Sequence, residues 1–510
     1  MIWQLLLLAW FFQPAPTYTV SGTVVNRVDG KPLSGARVTL GGRPADPDVT
    51  GPDGKFRFAG FKQGVFPLVA EKVGFGRQSY QQRSLMTNLS TGIATGGGQS
   101  TENLVFGMIP GGVISGAVSD TQGNPVTGMS VMVYRVVGVG DERHAELQQF
   151  GDRTDDQGRY RIASLPSGTF VIVFTGWTAR PGPTPMATTE TYPVTYFPGT
   201  TVAARAALVR VEPGKEIRAD AILAPTSRVR MTGKVVLPNF PEGGWVSVNA
   251  AAPYGGELGL VRAMVIGSQF VVDGVPGGQY VVNLDNDQGR RMARSMIDVG
   301  TSDVAVTLGE TPFAHVVEKV ELRGEIKNPN APIILRLYSK NVRAERTLDA
   351  EGRAEIAALP PGQYEVMVTK GQTLTPLSVT VKGASVRGGI LDIPATGEIS
   401  VSVVADATPP RNVQGRALRG EQPEGGLLVV LVPKGNSQNL AAYRFNQSDG
   451  DGTFLWPVVT PGDYLMFAFE DGEPADYASA EVMAKLAPKG QEVTITGDAK
   501  QVVVVHVTAR

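Results

Sequence analysis

The sequence has no cysteine and only three histidines, His144, His315 and His506. The first absence removes disulfides, thiolate zinc sites, iron–sulfur clusters and cysteine nucleophiles together. The second leaves little material for a Ser–His–Asp triad. Neither charge is in surplus: 47 Lys and Arg face 48 Asp and Glu, a net charge of −1. A nucleic-acid binder needs cations to set against phosphate, so no nucleic acid is expected as a partner. Charged residues make up 19% of the chain, too few for disorder driven by self-repulsion. No later segment reaches 18 uninterrupted apolar residues, so no membrane span is expected in the mature chain. There is no P-loop, no G-x-G-x-x-G and no G-x-S-x-G elbow.

Glycine and proline are abundant, 62 and 36 of 510 residues. A chain so often interrupted cannot be mostly long helix. Residues 2–12 are apolar except for Gln4. As a helix they rise only ~17 Å, too little to cross a membrane. They fit the hydrophobic region of a secretory signal ending at Pro14-Ala15-Pro16; the alternative is a buried first strand. Residues 1–16 are therefore set apart as a signal peptide or N-terminal hydrophobic segment. Export to the periplasm, the outer-membrane surface or the medium is expected. Without disulfides, exported domains must hold by packing alone.

A four-part pattern recurs along the rest of the chain: a short strand with Gly, an alternating apolar strand, a turn with Asp and Gly before an aromatic or apolar residue, and Gly-x-Tyr/Phe opening another strand. The first copy reads SGTVVN from Ser21, GKPLSGARVTL from Gly30 and GPDGKFRFAGFKQGVFPLVA from Gly51. The second reads SGAVSD from Ser115, GNPVTGMSVMVY from Gly123 and TDDQGRYRIASLPSGTFVIVF from Thr154. The opening glycines are assigned as Gly22, Gly116, Gly233, Gly324 and Gly415, spaced 91 to 117 residues apart. Units that long are small domains rather than solenoid repeats. Period-two alternation, as in Arg159-Tyr160-Arg161-Ile162, predicts strands with one buried face. Phe66, Phe170, Tyr280, Tyr364 and Tyr464 take matching places and are read as core plugs. The fold class expected is all-β, five tandem prealbumin-like or Ig-like β-sandwich domains joined by short linkers. The domains are residues 17–110, 111–224 with a long aromatic insertion, 225–310, 311–395 and 396–510; the fourth is expected to close on a strand at 389–393, and residues 396–410 could belong to either of the last two. Linkers so short predict a semi-rigid string.

The order G-x-V, G-x-P-L-x-G-A-x-V, D-G-x-F and G-x-Y/F resembles the carboxypeptidase regulatory-like domain, a transthyretin-like sandwich close to carbohydrate-binding-like folds. The match is fullest in the first two copies; the third to fifth lack G-x-P. The resemblance implies an appended binding, folding or spacing module on exported bacterial proteins. It supplies no catalytic residues.

Little else carries chemistry. His315-Val-Val-Glu318 has the H-x-x-E spacing of zinc peptidases, but on a strand positions three apart face opposite ways. His144 is expected on a solvated loop or short helical turn, and His506 as an interior or edge imidazole beside Val502 and Val504. Ser448-Asp-Gly-Asp-Gly452 resembles the front of a calcium loop but lacks the closing Glu, and a hairpin turn accounts for it. The insertion at residues 176–200 carries Trp177, Tyr192, Tyr196 and Phe197. Such rings either stack on sugar faces, as candidate ligand-binding residues, or pack over the sandwich or its neighbour. The Gly- and Thr-rich stretch 84–101 is expected to be a mobile loop. No cofactor and no metal is expected. The chain reads as a non-enzymatic exported scaffold for binding or spacing in the bacterial envelope. The alternatives are a carbohydrate-binding protein using the aromatic loop of the second domain, or an accessory module for a separately encoded envelope receptor or enzyme.

Overall fold

A computed structural model describes residues 16–41, 47–96, 100–137, 144–176, 190–237, 244–253, 257–287, 291–309, 313–326, 328–339, 343–387, 389–434, 443–470, 477, 480–496 and 501–508. The hydrophobic segment at 1–15 and Trp177 lie outside them. The protein is all-β, with one short α-helix, Ala480–Leu486, among the described residues. No helix of the described residues is long and apolar enough to cross a membrane.

Five tandem β-sandwiches follow one wiring. The opening strand of each lies between an antiparallel partner carrying the D-G-x-F element and a parallel partner that closes the unit. Tyr18–Asn26 pairs this way with Lys55–Phe61 and Leu104–Met108. Gly112–Asp120 pairs with Arg159–Leu165 and Ala221–Leu223. Thr226–Val236 pairs with Gln269–Pro276 and Val304–Gly309. Ala314–Arg323 pairs with Arg353–Leu359 and Glu398–Asp406. Arg411–Arg419 pairs with Thr453–Val459 and Val502–His506. A second sheet covers each of these, centred on the Gly-x-Tyr/Phe strand in the last four units; in the first, Leu68–Lys72 takes that place and Gly64–Phe66 pairs instead with Ile93–Thr95. In the fourth, Thr373–Lys382 pairs into both sheets. One apolar cluster fills each gap.

The repeated residues do repeated jobs. Phe170, Tyr280, Tyr364 and Tyr464 are buried and Phe66 is partly buried. Each follows, two residues on, a glycine with φ between +144° and +158°, a region closed to other residues. Gly22, Gly116, Gly233 and Gly415 lie in register with Phe56, Tyr160, Phe270 and Phe454. A Cβ on Gly116 would come within 3.0 Å of the Tyr160 ring, so the bare backbone makes room for it. Every opening strand also slips register at its start, by a bulge in its antiparallel partner.

Several expectations need correcting. Gly324 is not the fourth opening glycine: the register that pairs Gly22 with Phe56 pairs Glu318 with Ala354. The fourth unit closes on Glu398–Asp406, not on the strand ending at Ile393, which lies in the other sheet beside Gly362–Thr369. Its nine paired positions with Ala314–Arg323 put the fourth junction beyond Asp406 rather than at 395. His144 begins a strand, His144–Arg153, not a loop or helical turn, because Ser130–Val137 offers it a hydrogen-bonding edge. His506 stands on the exposed face, since Val503 and Val505 are the residues turned inward. The fifth unit keeps its G-x-P equivalent: Pro423 bridges Leu418 as Pro32 bridges Val25 and Pro125 bridges Ser119.

The units are not beads on a string. The outer face of the second sandwich, through Met132, Tyr134, Val171, Val173 and Tyr196, shares an apolar cluster with Ala250 and Leu258 of the third. Glu190–Thr191, from the second unit's insertion, adds a short strand to the opening strand of the third. Thr460 donates to Thr375 across the fourth and fifth units at 2.8 Å. Ser84, Thr91 and Thr95, expected on a mobile loop, are buried because that segment packs on protein rather than water.

Candidate functional site

Near its end the aromatic insertion of the second unit folds back onto its own sandwich. Thr195–Tyr196 folds back as a strand beside Gly168–Thr175, with Tyr196 opposite Val173. That pairing sends the Tyr196 ring outward into the seam with the third sandwich, where it is 2% exposed. Its hydroxyl donates to the carbonyl of Ala251 across the seam. Burial pushes the phenol far above its ordinary range. Tyr192 and Phe197 turn the other way and pack on the second sandwich's own core. The three described rings of the insertion are thus brought together as packing on two sides of one sheet.

The H-x-x-E pair splits as strand geometry requires. His315 stands on the outer face, its Nδ1 2.7 Å from Glu398 Oε2 and its Nε2 3.7 Å from Glu355. The hydrogen bond and charge of Glu398 raise the imidazole above its usual value. Glu318 points into the core. Among the described residues no group of three or more His, Cys, Asp or Glu side chains could hold a metal ion.

Glu318 is the chemically unusual residue. It alternates with Ala314, Val316 and Val320 on the core face of its strand and is 0% exposed. It occupies the glycine position of the repeat, and the ring opposite has become Ala354. The pair is exchanged: a side chain grows where the others have none, and a methyl replaces the ring that would have collided with it. Neither carboxyl oxygen finds a hydrogen-bond partner. Burial lifts its pKa from the ordinary 4.5 to about 7, against a smaller opposing pull from Arg346. The sequence pattern points to the nearest glycine, Gly324; strand phase counted from the turn at Glu351-Gly352 points to Glu318 instead.

An open cleft of about 460 Å³ lies on the outer face of the second sandwich, rimmed by Arg153, Arg159, Arg161 and Arg218 around Ser115 and Ala117. Glu216 lies 3.5 Å from Arg161 and Asp220 2.8 Å from Arg218, so much of this positive charge is met on the sheet itself. In the turn at 448–452, Asp449 accepts the amide of Gly92 at 2.8 Å and Asp451 accepts the amide and hydroxyl of Thr453. The carboxylates that imitate a calcium loop are thus engaged with amides and a hydroxyl.

Residues 19–98 match the carboxypeptidase regulatory-like domain, in agreement with the motifs of the first copy. No curated protein matches the chain. Solved structures of similar kind include the streptococcal ancillary pilin, at 13% identity over 55% of this chain and 98% of that one, with a TM-score of 0.18. The Bacillus anthracis TIE protein shares 10% identity over 77% of this chain and 75% of its own, with a TM-score of 0.18. The major pilin subunit of Bacillus cereus shares 10% over 78% of this chain and 100% of its own, with a TM-score of 0.15.

Proposed function

We propose that this chain is a non-enzymatic, exported scaffold that holds five sandwiches at fixed spacing and presents their free loops and edges to partners in the bacterial envelope. The observation that carries this reading is the seam between the second and third units. Tyr196 and the strand Glu190–Thr191 come from an insertion, yet both are used to fix a neighbour. A chain that only needed tethered modules would gain nothing from an apolar cluster between them. Export rests on the apolar run at residues 2–12. The domain limits belong to the same reading, with Glu398–Asp406 counted in the fourth unit.

Cross-linking in the native envelope, with the wild-type chain and with Tyr196→Ala, tests the scaffold. Partner contacts spread over several sandwiches and lost together in the variant are expected. Contacts confined to one sandwich and indifferent to the seam would overturn the spacing role. Mature protein shortened near residue 16 is expected outside the cytoplasm; an intact N-terminus in the cytosol would refute export.

A further inference from the structure

We propose that residues 81–94 of the first sandwich form an intramolecular clasp that completes the fifth sandwich and closes the chain on itself, through the guanidinium of Arg83. The inference stands whether or not the scaffold reading does.

Three units share one hydroxyl staple. In the first, the Thr50 hydroxyl accepts the amide of Ala36 and donates to Leu33. Thr154 does the same for Met129 and Val126, and Ser448 for Leu427 and Glu424. In the second sandwich a cation caps this end: Arg153, just before Thr154, donates to the carbonyl of Gly128 at 3.1 Å. In the first, Lys72 caps the carbonyl of Ser34 at 2.6 Å. In the fifth, the residue before Ser448 is Gln447, which carries no charge. The carbonyl of Gly426, equivalent to Gly128, accepts Nη2 of Arg83 at 2.6 Å. The cation that the second sandwich supplies itself is supplied to the fifth by the first.

The surrounding contacts fit a dedicated seat. Nη2 of Arg83 also donates to the Phe469 carbonyl at 3.0 Å, and its Nε to Gln447 Oε1 at 3.2 Å. Gln447, 1% exposed, returns its amide to the Gln81 carbonyl and the Thr91 hydroxyl at 3.0 and 2.8 Å. Gly450 donates to the Gly92 carbonyl at 2.8 Å while Asp449 accepts the Gly92 amide. Leu89 packs on the apolar cluster of Phe467, Phe469 and Tyr477 on the outer face of the fifth sandwich. The backbones approach closely enough that a Cβ on Gly92 would sit 2.7 Å from Asp449 Oδ1. The acceptors are divided between Nη2 and Nε, a spread that a planar guanidinium matches and the single nitrogen of an ammonium does not.

The absence of cysteine permits a direct test. Asp53→Cys and Glu421→Cys place spin labels on exposed positions of the first and fifth sandwiches of the full chain. Pulsed electron resonance should give one narrow distance distribution, independent of protein concentration. Arg83→Ala, Arg83→Lys and, from the other side, Asp449→Ala should each broaden it, while circular dichroism shows the sandwiches still folded. Should one variant unfold, the other two decide. A broad distribution in the unmodified background overturns the proposal, as does a narrow one untouched by all three variants. A narrow peak that appears only on dimerisation assigns the seat to a second copy and overturns it too.

Discussion

Raising the pH from about 5 to about 8 should loosen the fourth sandwich selectively, because it forces a charge into that unit's core. The group is Glu318, 0% exposed with both carboxyl oxygens lacking a partner. The cation that opposes its burial, Arg346, already donates to the backbone carbonyls of Glu345 and Glu355. Between the ordinary 4.5 and the folded value of about 7, the folded unit keeps a proton that the unfolded chain has released. Stability therefore falls as pH rises through that window and is level above it. The whole change corresponds to about 3 kcal/mol. Five units need not unfold together, so a global midpoint would blur the effect. Hydrogen exchange resolved by mass spectrometry reads it locally. After correction for intrinsic exchange rates, protection of Val316–Val320 should drop roughly 100-fold between the two pH values, while the other opening strands stay level. Glu318→Leu should abolish the dependence. Equal protection at both pH values, or the same slope in Glu318→Leu, would refute the reasoning. The exchange of side chains has its own test. Ala354→Phe alone should collide with Glu318, and Glu318→Gly alone should leave a void. The double variant restores the arrangement of the other four units, with a coupling of about 2 kcal/mol in a double-mutant cycle.

Other substitutions probe the repeat and its seams. Val458 sits at φ +57°, where the first and third units place Gly60 and Gly274; its side chain is largely exposed. Val458→Gly should therefore stabilise the fifth sandwich by about 1 kcal/mol in denaturant titration. Thr154→Val leaves the Met129 amide and the Val126 carbonyl without their shared hydroxyl. It should destabilise the second sandwich by about 1–3 kcal/mol, read by thermal unfolding. Tyr196→Phe removes only the bond to the Ala251 carbonyl and should cost about 1 kcal/mol at the seam. Exchange in the third unit's Trp245–Ala251 strand should report it. His315 should titrate above its ordinary value by NMR and fall back in Glu398→Gln, since Glu398 is the main cause of its elevation.

The periodic elements were legible because their physics is local. Glycine before an aromatic, an Asp-Gly turn and alternating apolar residues each act within a few positions, so five copies could be counted by eye. The exceptions follow from the same fact. Glu318 does not read as the fourth glycine position because a glycine and its facing ring were replaced together, and only register across two strands reveals the exchange. The strand Glu398–Asp406 could join either neighbour by pattern alone; its parallel partner lies some 80 residues earlier. The histidine at 144 sits in a polar run that becomes a strand only because an edge is there to receive it.

By itself the sequence determined the β-sandwich class and the fate of nearly every repeated glycine and ring, since these depend on backbone freedom and on the period of burial along one strand. What only the tertiary structure decided is where the outer faces go. Tyr196 reads the same whether it stacks on a ligand or on Ala250, and Arg83 the same whether it meets water or the Gly426 carbonyl 343 residues away. Contacts at that separation depend on how whole units dock, and no local pattern encodes which surface a neighbour will present.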